Sequence, residues 1–258
     1  QREMIRFTRD RLRIITSLIQ PVLFLFVLGT GLSTVTNGTA RNVNFRTFMY
    51  PGALAMAVLF TAMFSAASIV WDREFGFLRE MLVAPVSRWS IVVGKCFGGA
   101  TTAALQGVII LAFAGLVGVP YSLSLMLTVF AELLLLAFTL TAFGVMTAAR
   151  IQQFQSFMAL NQMLLMPLFF LSGALFPLAN LPSWLRVLTL VDPLTYAVDP
   201  VRRAVFAHLD VPAPVLAKLN PGVTWGGWRV PTALELAIVA VMGIGMLAIA
   251  IWQFRSAD

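Results

Sequence analysis

Six long stretches of this chain contain no Asp, Glu, Lys or Arg: Ile14–Ala40, Thr47–Trp71, Cys96–Ala131, Leu133–Ala149, Ile151–Leu185 and Leu236–Phe254. A helix of about 20 apolar residues crosses a bilayer, and each run is about that long or longer. The alternative membrane fold, a β-barrel, needs alternating segments of about 10 residues, which continuous Leu, Ala, Phe and Met runs do not supply. Composition points the same way. The chain is 59% hydrophobic and 11% charged, with a mean hydropathy of +0.88, whereas soluble domains are roughly a quarter charged. The expected fold is an all-α integral membrane protein whose solvent is lipid.

Gly115, Gly118 and Pro120 punctuate the third and fourth runs into two helices. Six spans are expected, at 14–35, 49–70, 91–117, 122–148, 155–174 and 232–253. Arg and Lys gather on cytoplasmic loops. The N-terminal segment, the stretch with Arg73, Arg79, Arg88 and Lys95, Arg150, and Arg255 therefore place both termini in the cytoplasm. Arg186, Arg202, Arg203, Lys218 and Arg229 lie in the long loop before the last span, and long loops are largely exempt from the rule. The chain opens on Gln1, so a preceding segment is expected.

Residues 1–13 read as an interfacial helix. Arg2, Arg6, Arg9 and Arg13 fall on one narrow helical face, as suits a helix lying on anionic headgroups; a plain basic flank to the first span is the alternative. The net charge of +7 has the same explanation. No basic patch is interleaved with base-stacking aromatics, so nucleic acid is not an expected partner. Cys96 is the single cysteine and His208 the single histidine. Neither an internal disulfide nor a Cys-based metal site can be built, and no cofactor is expected on this chain.

Between the second and third runs stands the charged island "WDREFGFLREMLVAPVSRWSIVVGK". Residues 72–83 read as a cytoplasmic helix with Phe75, Leu78, Met81 and Leu82 mostly on one side and Arg73 and Glu80 opposite. Pro85 ends it. Asp72, Glu74 and Glu80 weaken attraction to anionic lipid and suit docking to a protein. Near the other membrane face, 176–207 is too apolar for a free loop and too broken for a span. Leu181, Trp184, Leu185 and Leu188 form a helical stripe. Asp192–Pro193 and Asp199–Pro200 each read as a helix start, with Asp as N-cap and Pro following. Short helices resting on, or dipping into, the outer leaflet are expected there, followed by an exposed loop at 208–230 with Trp225 and Trp228 in the interfacial belt.

The island, with its Glu-x-Gly helix, Pro-Val-Ser-Arg turn and Gly-Lys start to the next span, resembles the loop between spans two and three of type-two ABC (ABC-2) exporter permeases. "LSGALFPLANLPSWLRVLTLVDPLTYAVDPVRR", Leu171 to Arg203, resembles the same family's outer signature between spans five and six. The likeness is greatest to exporters of drugs or lipid-like molecules, of the daunorubicin-resistance type; other relatives move polysaccharides. The resemblance implies a multi-pass subunit of the bacterial plasma (inner) membrane, paired with a second permease copy or paralogue and served by two separate ABC ATPase subunits that hold ATP and Mg. It implies that 72–83 is the coupling helix, with Glu74, Phe75, Gly76, Leu78, Glu80, Leu82 and Pro85 contacting the ATPase. It also implies re-entrant outer helices that close the pathway, with Phe176, Pro177, Pro182, Trp184, Asp192, Pro193, Asp199 and Pro200 at that gate. A P-loop requires Gly-x-x-x-x-Gly-Lys-Ser/Thr. Around Gly94–Lys95 the first glycine's place is Trp89 and the hydroxyl's place is Cys96, so ATP hydrolysis is expected of a partner and not of this chain.

An amphiphilic cargo, drug-like or lipid-like, needs an apolar pocket with a few polar groups. Phe24, Phe60, Phe64, Phe157, Asn161 and Gln162 are candidate linings, with packing or interhelical hydrogen bonding as their alternative use. Glu132 stands inside span four, where an ionisable group is a functional hypothesis by default; pairing within the bundle is its other use. Glu235 reads as interfacial. Gly94 and Gly98, continued by Gly99 and Ala100, allow close helix approach. Two other classes compete. A gradient-driven transporter coupled through Glu132 predicts matching broken spans in two halves, and no inverted repeat is visible. An intramembrane enzyme predicts a catalytic constellation, for which one histidine outside the spans is poor material.

Overall fold

The computed structural model describes residues 11–31, 45–76, 87–178, 181–209 and 219–255. These form helices α1 (Arg11–Leu23), α2 (Phe45–Glu74), α3 (Arg88–Leu111), α4 (Leu123–Ala148), α5 (Phe154–Leu171), α6 (Ser183–Val191), α7 (Pro193–Ala207) and α8 (Thr232–Arg255). Strands β1 (Thr224–Trp225) and β2 (Trp228–Arg229) make one antiparallel hairpin. After Leu23, α1 continues through a π-helical turn at Phe24–Leu28.

Among the described residues, five helices are long and apolar enough to cross a membrane: Ile14–Gly31, α2, α4, α5 and Thr232–Phe254 within α8. This is a multi-pass membrane protein. The third expected span, 91–117, corresponds to α3, which is 24 residues long but is diluted by Lys95, Gln106 and several glycines, so it is not among the five.

The bundle is organised around α2. Of its most apolar window, 89% is buried, and α1, α3, α4, α5 and α7 all pack on it. A helix enclosed on all sides is apolar all round, and its alanines at 53, 55, 57, 62, 66 and 67 let neighbours approach closely. One tight seam runs through Gly99 and Gly107 of α3. A Cβ on Gly99 would lie 2.6 Å from Thr141 Cγ2 and 2.7 Å from Ser65 Oγ. Of the expected small residues, Gly99 lies in this seam, whereas a Cβ on Gly94 would meet nothing within 4 Å.

Several boundaries differ from expectation for local reasons. The helix expected at 72–83 does not begin as a separate element. Asp72–Glu74 belong to α2, and Gly76 ends that helix at φ +82°, a left-handed conformation that glycine adopts without steric cost; residues 77–86 lie outside the described residues. The span expected at 91–117 stops at Leu111, and a 3-10 turn follows at Ala114–Val117. Asp192–Pro193 does start a helix, with Asp192 accepting from Leu194 N at 2.9 Å. Asp199–Pro200 does not: both lie inside α7, because the Asp199 carboxylate is drawn to Arg203 and to Val223 N and does not cap its own helix. Nor does α7 rest on a leaflet, since residues 193–202 are all buried against α4, α2 and α8. By contrast α6 turns Trp184, Val187, Leu188 and Val191 outward, so its stripe is exposed.

Candidate functional site

Consecutive helical residues are about 100° apart around the axis, so the last turn of α2 points in four directions. Trp71 and Glu74 both meet the start of α5, while Asp72 and Arg73 meet other elements. Trp71 packs edge-on against Phe154 at 4.9 Å between ring centroids. Asp72 accepts from Lys95 Nζ of α3 at 2.7 Å, and Lys95 also donates to Ser68 Oγ at 3.2 Å. Arg73 donates to the carbonyls of Ala149 and Ile151, both at 2.9 Å, and its guanidinium lies 5.7 Å from the centre of the Phe254 ring of α8. Glu74 accepts from Phe154 N, the first residue of α5, at 2.7 Å. The charges suit their positions. A cation sits at the unpaired carbonyls ending α4, and an anion at the free N–H groups starting α5. One turn therefore ties α2 to α3, α4, α5 and α8. Phe75, 61% exposed, projects just beyond it.

Beside this turn lies a cavity of about 470 Å³, within the usual range for small-molecule sites. α1 contributes Thr16, Ser17 and Gln20. α2 contributes Phe60, Thr61, Phe64, Ala67, Ser68 and Trp71, and α5 contributes Phe154, Met158 and Gln162. Ser17 accepts from the buried Gln106 Nε2 at 3.0 Å, which braces α1 against α3.

At the other end of α2 a buried ionic cluster holds the hairpin to the bundle. Arg203 bonds Asp199 and, at 3.1 Å, the fully buried Glu235 of α8; it also donates to Val230 O at 2.9 Å. Arg202 donates to Gly173 O at 2.6 Å and stacks over Phe48 at 4.7 Å. Burial lowers its guanidinium to about 10, with the Asp199 charge opposing the shift. Burial pushes the Asp192 carboxyl up to about 7, against the lowering effect of its bonds from Leu194 N and Thr195.

The model of the ABC-2 type transporter family matches residues 1–206. The chain belongs to that family. Among its relatives, a transport permease named ycf38 of Cyanophora paradoxa is 32% identical over 212 residues, covering 78% of this chain and 71% of that protein. YbhR of Escherichia coli K12, named as a multidrug ABC transporter permease, is 29% identical over 69% of this chain and 49% of its own length. Nodulation protein J of Rhizobium leguminosarum bv. viciae is 29% identical over 73% of each chain. The matched part thus spans only about half of YbhR.

In this ABC-2 permease the residues expected to couple to a motor are divided. Glu74, Phe75 and Gly76 are the end of α2, and the Glu74 carboxylate is engaged within the chain. Leu78, Glu80, Leu82 and Pro85 lie outside the described residues, as do Arg2, Arg6 and Arg9; Arg13 falls within α1, and its side chain is not described. Asp72, expected to face a partner, is instead paired with Lys95 because that cation needs a counter-charge at a half-buried position.

Of the candidate cargo residues, Phe60, Phe64 and Gln162 line the cavity. Phe157 and Asn161 are 1% exposed and packed away from it, and Phe24 stacks edge-on on Phe169 at 5.8 Å. At the expected gate, Phe176 and Pro177 follow the bend at Gly173, Pro182 caps α6, and Trp184 is 66% exposed. Glu132 is buried, with Oε2 lacking a hydrogen-bond partner. Glu235 is not interfacial: Arg203 draws it into the core. Sequence reading missed the Asp72–Lys95 and Arg203–Glu235 pairs. Their one sequence signal is that Asp72, Lys95 and Glu235 each border an uncharged run; Arg203 carries no such signal.

Proposed function

We propose that this chain is the non-enzymatic permease subunit of an ATP-driven ABC exporter in a bacterial plasma membrane. It would have six spans, cytoplasmic termini, and separate ABC ATPase subunits carrying ATP and Mg. The observation that carries this reading is the last turn of α2. A push delivered just past Gly76 would reach α3, α4, α5 and α8 at once, through one ion pair, two capping contacts and ring packing. That is what a receiver of force made elsewhere requires. Switching between inward-open and outward-open states needs differential affinity of the motor for the two, and a tied turn lets several helices change together.

The cavity between α1, α2 and α5 is the cargo site in this reading. It adjoins the tied turn through Trp71 and Ser68, so movement of that turn changes its shape. YbhR's name supports drug-like cargo, and lipid- or glycan-bearing amphiphiles are the alternative that the motif resemblance offers.

The test is purification of the tagged chain from detergent extracts of cells producing it with a cognate ATPase. Phe75→Ser, at an exposed position, is expected to leave the melting temperature nearly unchanged while ATPase recovery and ATP hydrolysis in the eluate fall together. Undiminished ATPase recovery and hydrolysis in this variant would remove the coupling role.

A further inference from the structure

The cavity's lining combines two chemistries and leaves out a third. One part is aromatic and thioether: Phe60, Phe64, Trp71, Phe154 and Met158. Another is neutral and polar: Thr16, Ser17, Gln20, Thr61, Ser68 and Gln162. Among the described residues, none that lines the cavity is an acid or a base. Behind Ser68, Asp72 and Lys95 pair with each other at 2.7 Å. A cation or anion entering this cavity would leave water without gaining a counter-charge, a cost that aromatic faces return only in part.

Thr61 adds a second, independent observation. Buried threonines elsewhere in the bundle satisfy their hydroxyls on backbone carbonyls: Thr141 on Ala137 O, Thr102 on Gly99 O and Thr139 on Val239 O. Thr61, 4% exposed and in the cavity wall, has no hydrogen-bond partner for its hydroxyl. Threonine has two accessible rotamers in a helix, so one rotation presents this group to a ligand. Hydroxyls and amides both donate and accept, which matches a ligand that also does both.

We propose that the cavity binds an uncharged amphiphile whose polar part is a cluster of hydroxyl groups and whose apolar part lies on the aromatic wall. Thr61 and Gln162 hydrogen-bond the hydroxyls, and Trp71 and Phe154 receive the apolar part. The class covers both a glycolipid headgroup with its chain and a polyhydroxylated neutral drug. This rests on reading the cavity as the cargo site.

The test uses the full chain in nanodiscs of phosphatidylethanolamine and phosphatidylglycerol. Three probes share a brominated decyl chain: a β-glucoside, a trimethylammonium and a sulfate. Bromine quenches nearby indole, so the difference between wild type and Trp71→Phe reports the cavity, and quenching of the remaining tryptophans corrects for lipid partition. The glucoside is expected to saturate the Trp71-dependent signal at a concentration at least about tenfold below either charged probe. Thr61→Val is expected to weaken it by about threefold to tenfold, the worth of one neutral hydrogen bond. Gln162→Glu is expected to bring in the trimethylammonium probe. Saturation of the wild type by a charged probe at equal or lower concentration overturns the neutral class and leaves the cavity as the cargo site. Absence of saturable Trp71-dependent quenching with all three probes overturns the cargo site itself, while the role of Phe75 stands or falls on its own experiment.

Discussion

The Glu74 carboxylate, at the end of α2, accepts a hydrogen bond from Phe154 N at the start of α5, 2.7 Å away and 80 residues on. A negative charge at a helix N-terminus satisfies a free donor and opposes the positive end of the helix dipole. The exit of one span thereby fixes the start of another, next to the cavity that both helices line.

Replacing this carboxylate tests the contact. Glu74→Ala is expected to destabilise the protein by about 1 kcal/mol, the usual worth of an N-terminal cap. Glu74→Arg should cost more, because it sets a cation against the helix dipole. Thermal unfolding in detergent, followed by helical circular dichroism, measures both. Equal stability of wild type and Glu74→Arg would mean that the contact contributes nothing.

The Asp72–Lys95 pair retains 11% and 17% side-chain exposure. Asp72→Asn removes the charge that Asp72 sets 2.7 Å from the ammonium and is expected to cost about 3 kcal/mol, the low end for breaking a buried pair. Lys95→Met in the same chain should recover part of that loss, since removing both charges avoids an unpaired one. A double-mutant cycle read by denaturant unfolding gives the coupling energy, and additive losses would show the two charges to be independent.

Two glycines of α3 distinguish packing from propensity. Gly99→Ala forces a Cβ to within 2.6 Å of Thr141 Cγ2 and 2.7 Å of Ser65 Oγ, an overpacking expected to cost about 1–3 kcal/mol. Gly94→Ala meets open space and is expected to stabilise α3 by about 0.5–1 kcal/mol. Opposite signs in melting temperature are the predicted result; two losses of similar size would place Gly94 in a packed seam as well.

Asp192 gives a pH dependence with a defined sign. Burial raises its carboxyl from the ordinary 3.8 to about 7, so the folded state holds the proton more tightly than the unfolded chain. Its contribution is therefore most favourable below about pH 4 and is lost as pH rises towards 7. Asn caps a helix as well as Asp and does not titrate. Asp192→Asn is thus expected to flatten the decline in stability between pH 4 and pH 7. A decline of unchanged slope in the variant would assign it to other groups.

The uncharged runs by themselves determined that this is a helical membrane protein, and roughly where its helices lie. In hydrocarbon the backbone must satisfy itself within each segment, so run length and break residues place each span without reference to its neighbours. Asp192–Pro193 was legible for the same local reason, since an N-cap and the proline after it act over a few residues. The ends of α2 and α5 and the role of Asp199 were not legible. Whether Asp72 faces a partner or Lys95, whether Asp199 caps a helix or binds Arg203, and whether Glu235 meets lipid or the core depend on which helices become neighbours. The expectation of an apolar pocket with a few polar groups did bring Phe60, Phe64 and Gln162 forward as linings, but Thr16, Ser17 and Gln20 join them only because α1 lies beside α2. Tertiary structure alone decides such pairings, because an isolated charge or hydroxyl in an apolar span is stable only against a complementary group, and sequence spacing carries no record of what stands across the interface.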